Sequence, residues 1–386
     1  MTFFSFIIPY RNRDSIRIKN CLQSIQNQSF ADFEIIFIDY GSDLPVQQEI
    51  EKLCSEFPKV KYYFFDTRYQ LWSRSHALNL GILHARGQFL VIVDIDLIYP
   101  PDFVDLLKNK IDENSFVQYQ CYYVPENQQD YQSLDFSKTY PYKVSSTEFA
   151  AGLIAMPKEK MHEIGGYDEY FKVWGVEDID LKKRLLVAGL QGKVLSINEA
   201  PTFHQWHAFA SNEDLMPALW LKAMEKYAKE KIAFPLPYLK KFIDNQTFNE
   251  QRVALKLLES KSLKSINFSL SFTFEYPTLQ SFVKFSQLFF ALQKGEYIAI
   301  IQEFETIKVQ EKSRLGHLFS KLNQWLEKTK ISYRITELFT FETEVVNFTN
   351  VRDFLFYFIT ENQNYIADYT FETVYPKEIK CILVKK

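Results

Sequence analysis

Three short constellations in this chain hold side chains able to do chemistry. The first is Asp94-Ile95-Asp96, directly after the apolar run 89–93. Two carboxylates at i and i+2 on leaving a strand point to the same side of the sheet mouth. Such a pair suits a hard divalent cation that also bridges a diphosphate. Taken alone, D-x-D is more often a surface loop; the buried strand before it, with Gly87 ahead of that strand, favours the chemical reading. The second constellation is Gly165-Gly166-Tyr167-Asp168, followed by Trp174-Gly175-Val176-Glu177-Asp178-Ile179-Asp180 running into a helix with Arg184. Acids at a helix start complement the dipole and cap the first turn, which accounts for one of the three. A carboxylate held there beside an aromatic wall is a good general base for a hydroxyl. The third is His204-Gln205-Trp206-His207. A lone histidine near a strand end is more often a hydrogen-bonded surface residue, but a neutral imidazole also completes a mixed oxygen/nitrogen site around Mn2+.

The elements that must position these groups follow from periodicity. Runs 3–9, 33–38, 60–65 and 89–94 read as short buried strands, and 15–28, 46–57 and 74–86 as amphipathic helices between them. Strands of this kind separated by helices predict a mainly parallel sheet of β-α-β units. Ligands of such sheets collect beyond the carboxyl ends of the strands, where Asp39 and Asp94 to Asp96 lie. A strand over 116–124, helices over 157–164 and 178–188 and a strand over 193–197 follow, and then a basic helix over 215–232. Past about residue 240 glycine nearly vanishes. Helical patterns (248–260, 278–292, 315–328) there alternate with strand-like runs (265–274, 331–341, 379–384). The expected organisation is an α/β domain over 1–240 and an α+β accessory domain over 241–386 that binds acceptor or docks a partner.

Composition limits the function classes. Across 386 residues, 47% are hydrophobic and 24% charged, which fits a folded globular chain and excludes disordered or fibrous ones. A net charge of −3 carries no basic field to attract nucleic acid. Cys21, Cys54, Cys121 and Cys381 lie far apart, so a reduced, cytoplasmic setting is expected. No apolar run reaches membrane-spanning length, and the first ten residues read as a strand, not as a signal peptide. Six lysines over 219–241 against Glu225 and Glu230 make a solvated helix face or a contact for an anionic membrane surface or acidic glycan.

The segments Phe6-Ile7-Ile8-Pro9-Tyr10-Arg11-Asn12, Asp39-x-Gly41-Ser42, Asn79-x-Gly81 and Asp94-x-Asp96 stand in the order and rough spacing of family 2 glycosyltransferases. The chain resembles that family over about residues 1–215. Gly165 to Asp168 with Trp174-Gly-x-Glu177-Asp178 looks like the acceptor half of its galactosyl- and N-acetylgalactosaminyltransferase-like members. Phe203-His204-Gln205 resembles the chondroitin and hyaluronan polymerase group. The resemblance implies the GT-A nucleotide-diphospho-sugar transferase fold and a UDP-sugar donor. Pro9, Tyr10, Arg11 and Asn12 would line the uridine pocket with Asp39, which accepts from uracil. Arg68 and Arg74 would reach base or diphosphate. Asp94 would face ribose and metal, with Ile95 beside it on the donor side. Asp96 would ligate Mn2+ or Mg2+, with His204 as the further ligand and His207 as its alternative. Asp178 would be the base, Glu177 would hold the acceptor, and Trp174 would stack on a sugar ring. The implied reaction is single displacement with inversion onto a glycan or lipid-linked glycan, in bacterial surface polysaccharide assembly. The competing reading is an inactive sugar- or nucleotide-binding subunit. A nucleotidyltransferase would show a Gly-rich phosphate loop, and residues 9–15 contain no glycine. The family's usual Asp-Gly-Ser turn is Tyr40-Gly41-Ser42 here.

Overall fold

The computed structural model describes residues 2–128, 131–146, 153–173, 175–208, 216–230, 235–260, 270–272, 274, 279–304 and 348–386. The chain divides into two compact units, one of residues 1–67, 72–210 and 225–248, the other of 68–71, 211–224 and 249–386.

The first unit is built on a seven-stranded sheet. In chain order its elements are β1 (Phe4–Tyr10), α1 (Ser15–Gln26), β2 (Phe33–Tyr40), α2 (Leu44–Ser55), β3 (Val60–Phe65), α3 (Arg74–His84), β4 (Phe89–Ile92), β5 (Leu97–Ile98), α4 (Phe103–Lys110), β6 (Ser115–Tyr119), β7 (Cys121–Tyr123), β8 (Lys143–Val144), β9 (Ile154–Pro157), α5 (Lys158–Ile164), α6 (Glu177–Val187), β10 (Gln191–Leu195) and β11 (Thr202–His204). The sheet runs β10-β6-β9-β4-β1-β2-β3. β1 is parallel to β2 and β4, β2 to β3, and β6 to β10. β9 alone opposes its neighbours β4 and β6. Every residue of β1 and β2 is buried, as expected of strands covered on both faces by helices.

The continuous strand expected over 116–124 is two strands in different sheets. β6 stays in the large sheet, while β7 joins a smaller one of order β5-β11-β7-β8. The break falls at Gln120, whose N–H bonds to Leu195 O. This change of sheet carries β11 alongside β5, directly after the Asp94-Ile95-Asp96 turn.

Two motif residues turn out to clamp the fold. Asn79 donates to Tyr167 O and Glu169 and accepts from Tyr167 N–H at 2.8 Å. Gly166 lies opposite it at φ +91°, where a Cβ would meet Asn79 Oδ1 at 2.5 Å. Asp168 accepts from Tyr227 and Tyr238 hydroxyls, at 2.9 and 3.1 Å.

Helix α7 (Trp220–Glu230) contains the point at which the two units divide. The single helix expected over 248–260 is broken into α8 (Asn245–Glu250) and α9 (Val253–Glu259). Arg252, between them, leaves helical geometry at ψ 73° and bonds to Asp368. The second unit holds a sheet of order β12-β13-β15-β14, made of β12 (Leu270–Phe272), β13 (Tyr297–Glu303), β14 (Ile366–Val374) and β15 (Glu378–Lys385). Its helices include α10 (Leu279–Ala291) and α11 (Phe348–Glu361). The expected elements over 315–328 and 331–341 lie outside the described residues. Among the described residues, no helix is long and apolar enough to cross a membrane.

Candidate active site

The first cluster forms at the junction of the two sheets. Strand β4 delivers Asp94 and Asp96 to its carboxyl end, and β5 pairs with β11 so that His204 lies opposite Leu97. Gln205 N–H donates to Asp96 O at 2.7 Å, and the buried Gln205 side chain bonds Asn20 and Arg17 O. Gln205, the first of the two residues between the histidines, is thus the anchor of their turn. His204 Nε2 lies 3.5 Å from Asp96 Oδ1, and His207 Nε2 lies 3.2 Å from Asp96 Oδ2. One ligand atom from each of the three residues falls within 4.8 Å of the others. The site therefore gathers both histidines, where His204 was expected as ligand and His207 only as its alternative.

The hydrogen bonding of this trio is completed by a proton or by a cation. Asp96 Oδ1 is buried without a hydrogen-bond partner. His207 Nδ1 lies 2.9 Å from Ala208 O, a contact that places its proton on Nδ1 and turns a bare Nε2 lone pair toward the Asp96 carboxylate. Two acceptors facing each other need a proton or a metal ion between them. Burial raises the proton affinity of Asp96. With a second proton on His207, its hydrogen bond to Asp96 and the positive charge of the imidazoles outweigh that effect, holding the carboxyl below the usual range and raising His207. One carboxylate oxygen and two imidazole nitrogens form a donor set that can hold a divalent metal ion.

The second cluster is organised by Arg74, the first residue of α3, whose N-cap Ser73 accepts from His76 N–H. Arg74 donates through Nη2 to Asp94 Oδ1 at 2.9 Å and through Nη1 to Asp178 Oδ1 at 2.8 Å, with Glu177 at 3.8 Å. The sequence suggested a base or diphosphate contact for Arg74; here it bridges the two acidic motifs. Glu177 and Asp178 open α6 after a turn with Val173, Gly175 and Val176 at φ 67°, 102° and 73°. Positive φ at a β-branched residue is strained, and such strain collects at functional sites. Burial, then the charge of Asp178, raises Glu177 to about 7, against the pull of Arg74. Burial raises Asp178 as well, and its ion pair with Arg74 opposes that shift. Asp180, on the same turn, faces away and pairs with Arg184 at 2.8 Å, which in turn bonds Gly166 O. It holds the fold.

The residues expected around a nucleotide base fare differently. Arg11 lies over the rings of Tyr40 and Trp72, 5.1 and 5.5 Å from their centroids, and bonds Thr67 Oγ1 at 2.7 Å. Thr67 and Trp72 carried no motif and were not foreseen. Tyr40, in place of the usual acid, bonds His76 Nδ1 at 2.8 Å. Four residues expected on the donor side are buried in the fold. Tyr10 is a core residue whose hydroxyl is engaged by Arg13, and Ile95 is buried in the same core. Asp39 is fully buried, accepting from Ser42 N–H and Tyr62 Oη at 2.9 and 2.8 Å, because β2 carries it inside the sheet and not past its edge. Pro9 is buried in β1 opposite Ile38. Asn12 bonds Ser42 and Asp43 beside this turn. Arg68 falls in the second unit, paired with Glu259 at 2.8 Å. Trp174 lies outside the described residues.

Comparison with known proteins places both clusters in recognised segments. Residues 5–167 match the profile of Glycosyl transferase family 2, and residues 133–207 match that described as the N-terminal domain of galactosyltransferase. Residues 5–167 are a family 2 glycosyltransferase domain. Arg74, Asp94 and Asp96 fall in the first match, and Glu177, Asp178, His204 and His207 in the second. An uncharacterized glycosyltransferase of Rickettsia conorii is 29% identical over 116 residues, covering 30% of this chain and 18% of that protein. The chondroitin synthase of Escherichia coli is 25% identical over 252 residues, covering 54% of this chain and 35% of that protein. The chain thus spans only about a fifth to a third of the length of these relatives. Among solved structures, the mannosyltransferase PcManGT from Pyrobaculum calidifontis, in complex with GDP-Man and Mn2+, aligns with a TM-score of 0.44 at 18% identity. That alignment covers 64% of this chain and 69% of the other. The first unit presents its acids in two groups, one with imidazoles and one with a guanidinium.

Proposed function

We propose that this chain transfers a sugar from a UDP-sugar to a hydroxyl of a glycan or lipid-linked glycan, with inversion and with Mn2+ as cofactor. The observation that carries the reading is Arg74, whose two nitrogens join Asp94 of the donor motif to Asp178 of the acceptor motif. The choice of uridine rests on the family resemblance of the 9–12 and 39–42 segments. Asp96, His204 and His207 would hold the metal, which when bound neutralises the charge that develops on the departing diphosphate. Asp178 takes the proton of the attacking hydroxyl, its charge kept by Arg74. Glu177, more fully buried, keeps a proton into the neutral range and orients the acceptor by hydrogen bonding. Arg74 holds both carboxylates in place and offers its charge to the donor phosphates. Assembly of a bacterial surface polysaccharide is the process proposed, at the cytoplasmic face of the membrane. The exposed lysines Lys229, Lys240 and Lys241 support a peripheral contact with anionic lipid there.

The test is UDP release from a panel of UDP-sugars, with and without Mn2+, on wild type and Asp96→Ala. Turnover of one donor that needs Mn2+ and is lost in the variant supports the transferase. UDP binding without turnover on any donor, with glycan acceptors supplied, leaves a sugar- or nucleotide-binding subunit instead.

A further inference from the structure

The small sheet of the first unit carries, in a row with His204, two side chains that the transferase reading does not use. His204 on β11 is in register with Tyr123 on β7, and Tyr123 is in register with Lys143 on β8. Register partners on adjacent strands share a face, so His204, Tyr123 and Lys143 form one row running away from Asp96. The alternate row of Ile98, Phe203, Tyr122 and Val144 packs into an apolar cluster on the opposite face. The Tyr123 ring lies 5.1 Å from that of His204 and remains 37% exposed. Lys143 is exposed, with Nζ 5.7 Å from the Tyr123 centroid, and no carboxylate among the described residues pairs with it. Two strand spacings, roughly 10 Å, separate the histidine from the lysine.

We propose that Tyr123 and Lys143 form an acceptor subsite for a sugar bearing an anionic substituent. The ring would lie on Tyr123 and the carboxylate or phosphate would meet Lys143. This rests on the transferase reading for the word acceptor, but not for the binding itself. An aromatic face offers apolar surface to the C–H side of a pyranose while its edges stay wet. An ammonium on a flexible stem one strand further out adds a charge-assisted hydrogen bond to any anion there. The row also gives direction, because its other end is the Asp96, His204 and His207 trio. A sugar on Tyr123 would lie beside the donor end of the site, with its acidic group pointing outward.

The experiment measures binding of three oligosaccharides of equal length to the full chain by saturation-transfer NMR: one ending in glucose, one in glucuronate and one in glucose 6-phosphate. Wild type should bind one or both acidic forms about two- to fivefold more tightly than the neutral one, the range of an exposed ion pair. The preference should shrink with added salt. Lys143→Ala should remove the preference and Lys143→Arg should keep it, while Tyr123→Leu should weaken all three ligands together. The two acidic arms identify which anion is recognised. Equal binding of neutral and acidic forms by wild type (absence of binding included) would overturn the proposal, as would a preference that survives Lys143→Ala. UDP binding with Mn2+, measured on the same wild-type sample, reports separately on the transferase reading.

Discussion

Two arginines set in carboxylate clusters meet opposite circumstances in the two units. In the second unit, Arg252 pairs with a single carboxylate, Asp368, at 2.8 Å. Asp368 also accepts from Gln70 and from Ala254 N–H, at 3.0 and 2.7 Å, so both its oxygens are engaged by donors within the unit. In the first unit, Arg74 meets Asp94, Glu177 and Asp178 together, one cation against three acids. Nearby, Asp96 Oδ1 has no hydrogen-bond partner at all. A buried carboxylate with both oxygens engaged, as in Asp368, has nothing left to offer a ligand, although Nη1 of its partner Arg252 is buried without a hydrogen-bond partner. A cluster in excess of one sign waits for the opposite charge, which is what a metal ion and a proton in transit provide. The difference separates a pair that holds a fold from a site that works.

The strongest way to break this contrast is to remove one acid from each side. Asp178→Asn should lower kcat by about 10²- to 10⁴-fold, the ordinary weight of a general base. UDP affinity should stay close to wild type, and steady-state UDP release checks both. Asp368→Ala should instead act on stability, by about 3–5 kcal/mol, because it leaves Arg252 buried without its counter-charge. Its urea midpoint should fall accordingly.

A smaller effect sharpens the comparison. Glu177 is raised from its ordinary 4.5 to about 7 by burial and by Asp178. The folded protein then binds that proton more tightly than the unfolded chain, so stability falls as pH rises from 4.5 to about 7. Glu177→Gln should flatten that fall and stabilise the protein at pH 8 by about 1–3 kcal/mol. No corresponding gain is expected on removing Asp368. Denaturant titrations at pH 5 and pH 8 check the sign. The smallest effect is Tyr40→Phe, which removes the bond to His76 and should cost about 1 kcal/mol. Thermal melting reads it.

Much of the site was legible because its residues stand at the ends of elements that periodicity can find. The acids after β4 and at the start of α6 are of this kind, as is the Phe203-His204-Gln205 segment at the end of β11. What the sequence could not supply is where elements cross. Arg74 was visible as a cation at a helix start, but its bridging of Asp94 and Asp178 depends on how α3, β4 and α6 converge. Asp39 sits at a strand end yet is enclosed by Ser42 of its own turn and by Tyr62, a partner that only the sheet brings near. Ile95, between two half-buried acids, alternates into the core as a strand-end residue must. The reversed strand β9 and the switch of sheet after Gln120 left no mark in hydrophobic pattern, since parallel and antiparallel buried strands read alike.

The central claim is that the unsatisfied Asp96 end of the first unit is a metal site serving the donor. Mn2+ binding, followed by electron paramagnetic resonance with and without UDP, tests it most directly. The prediction is one Mn2+ per chain, bound more tightly when UDP is present. Its affinity should drop about 10-fold or more in Asp96→Ala and, by a comparable factor, in His204→Ala and His207→Ala. Wild-type affinity in Asp96→Ala, or no Mn2+ bound by the wild-type chain with UDP present, would contradict the account.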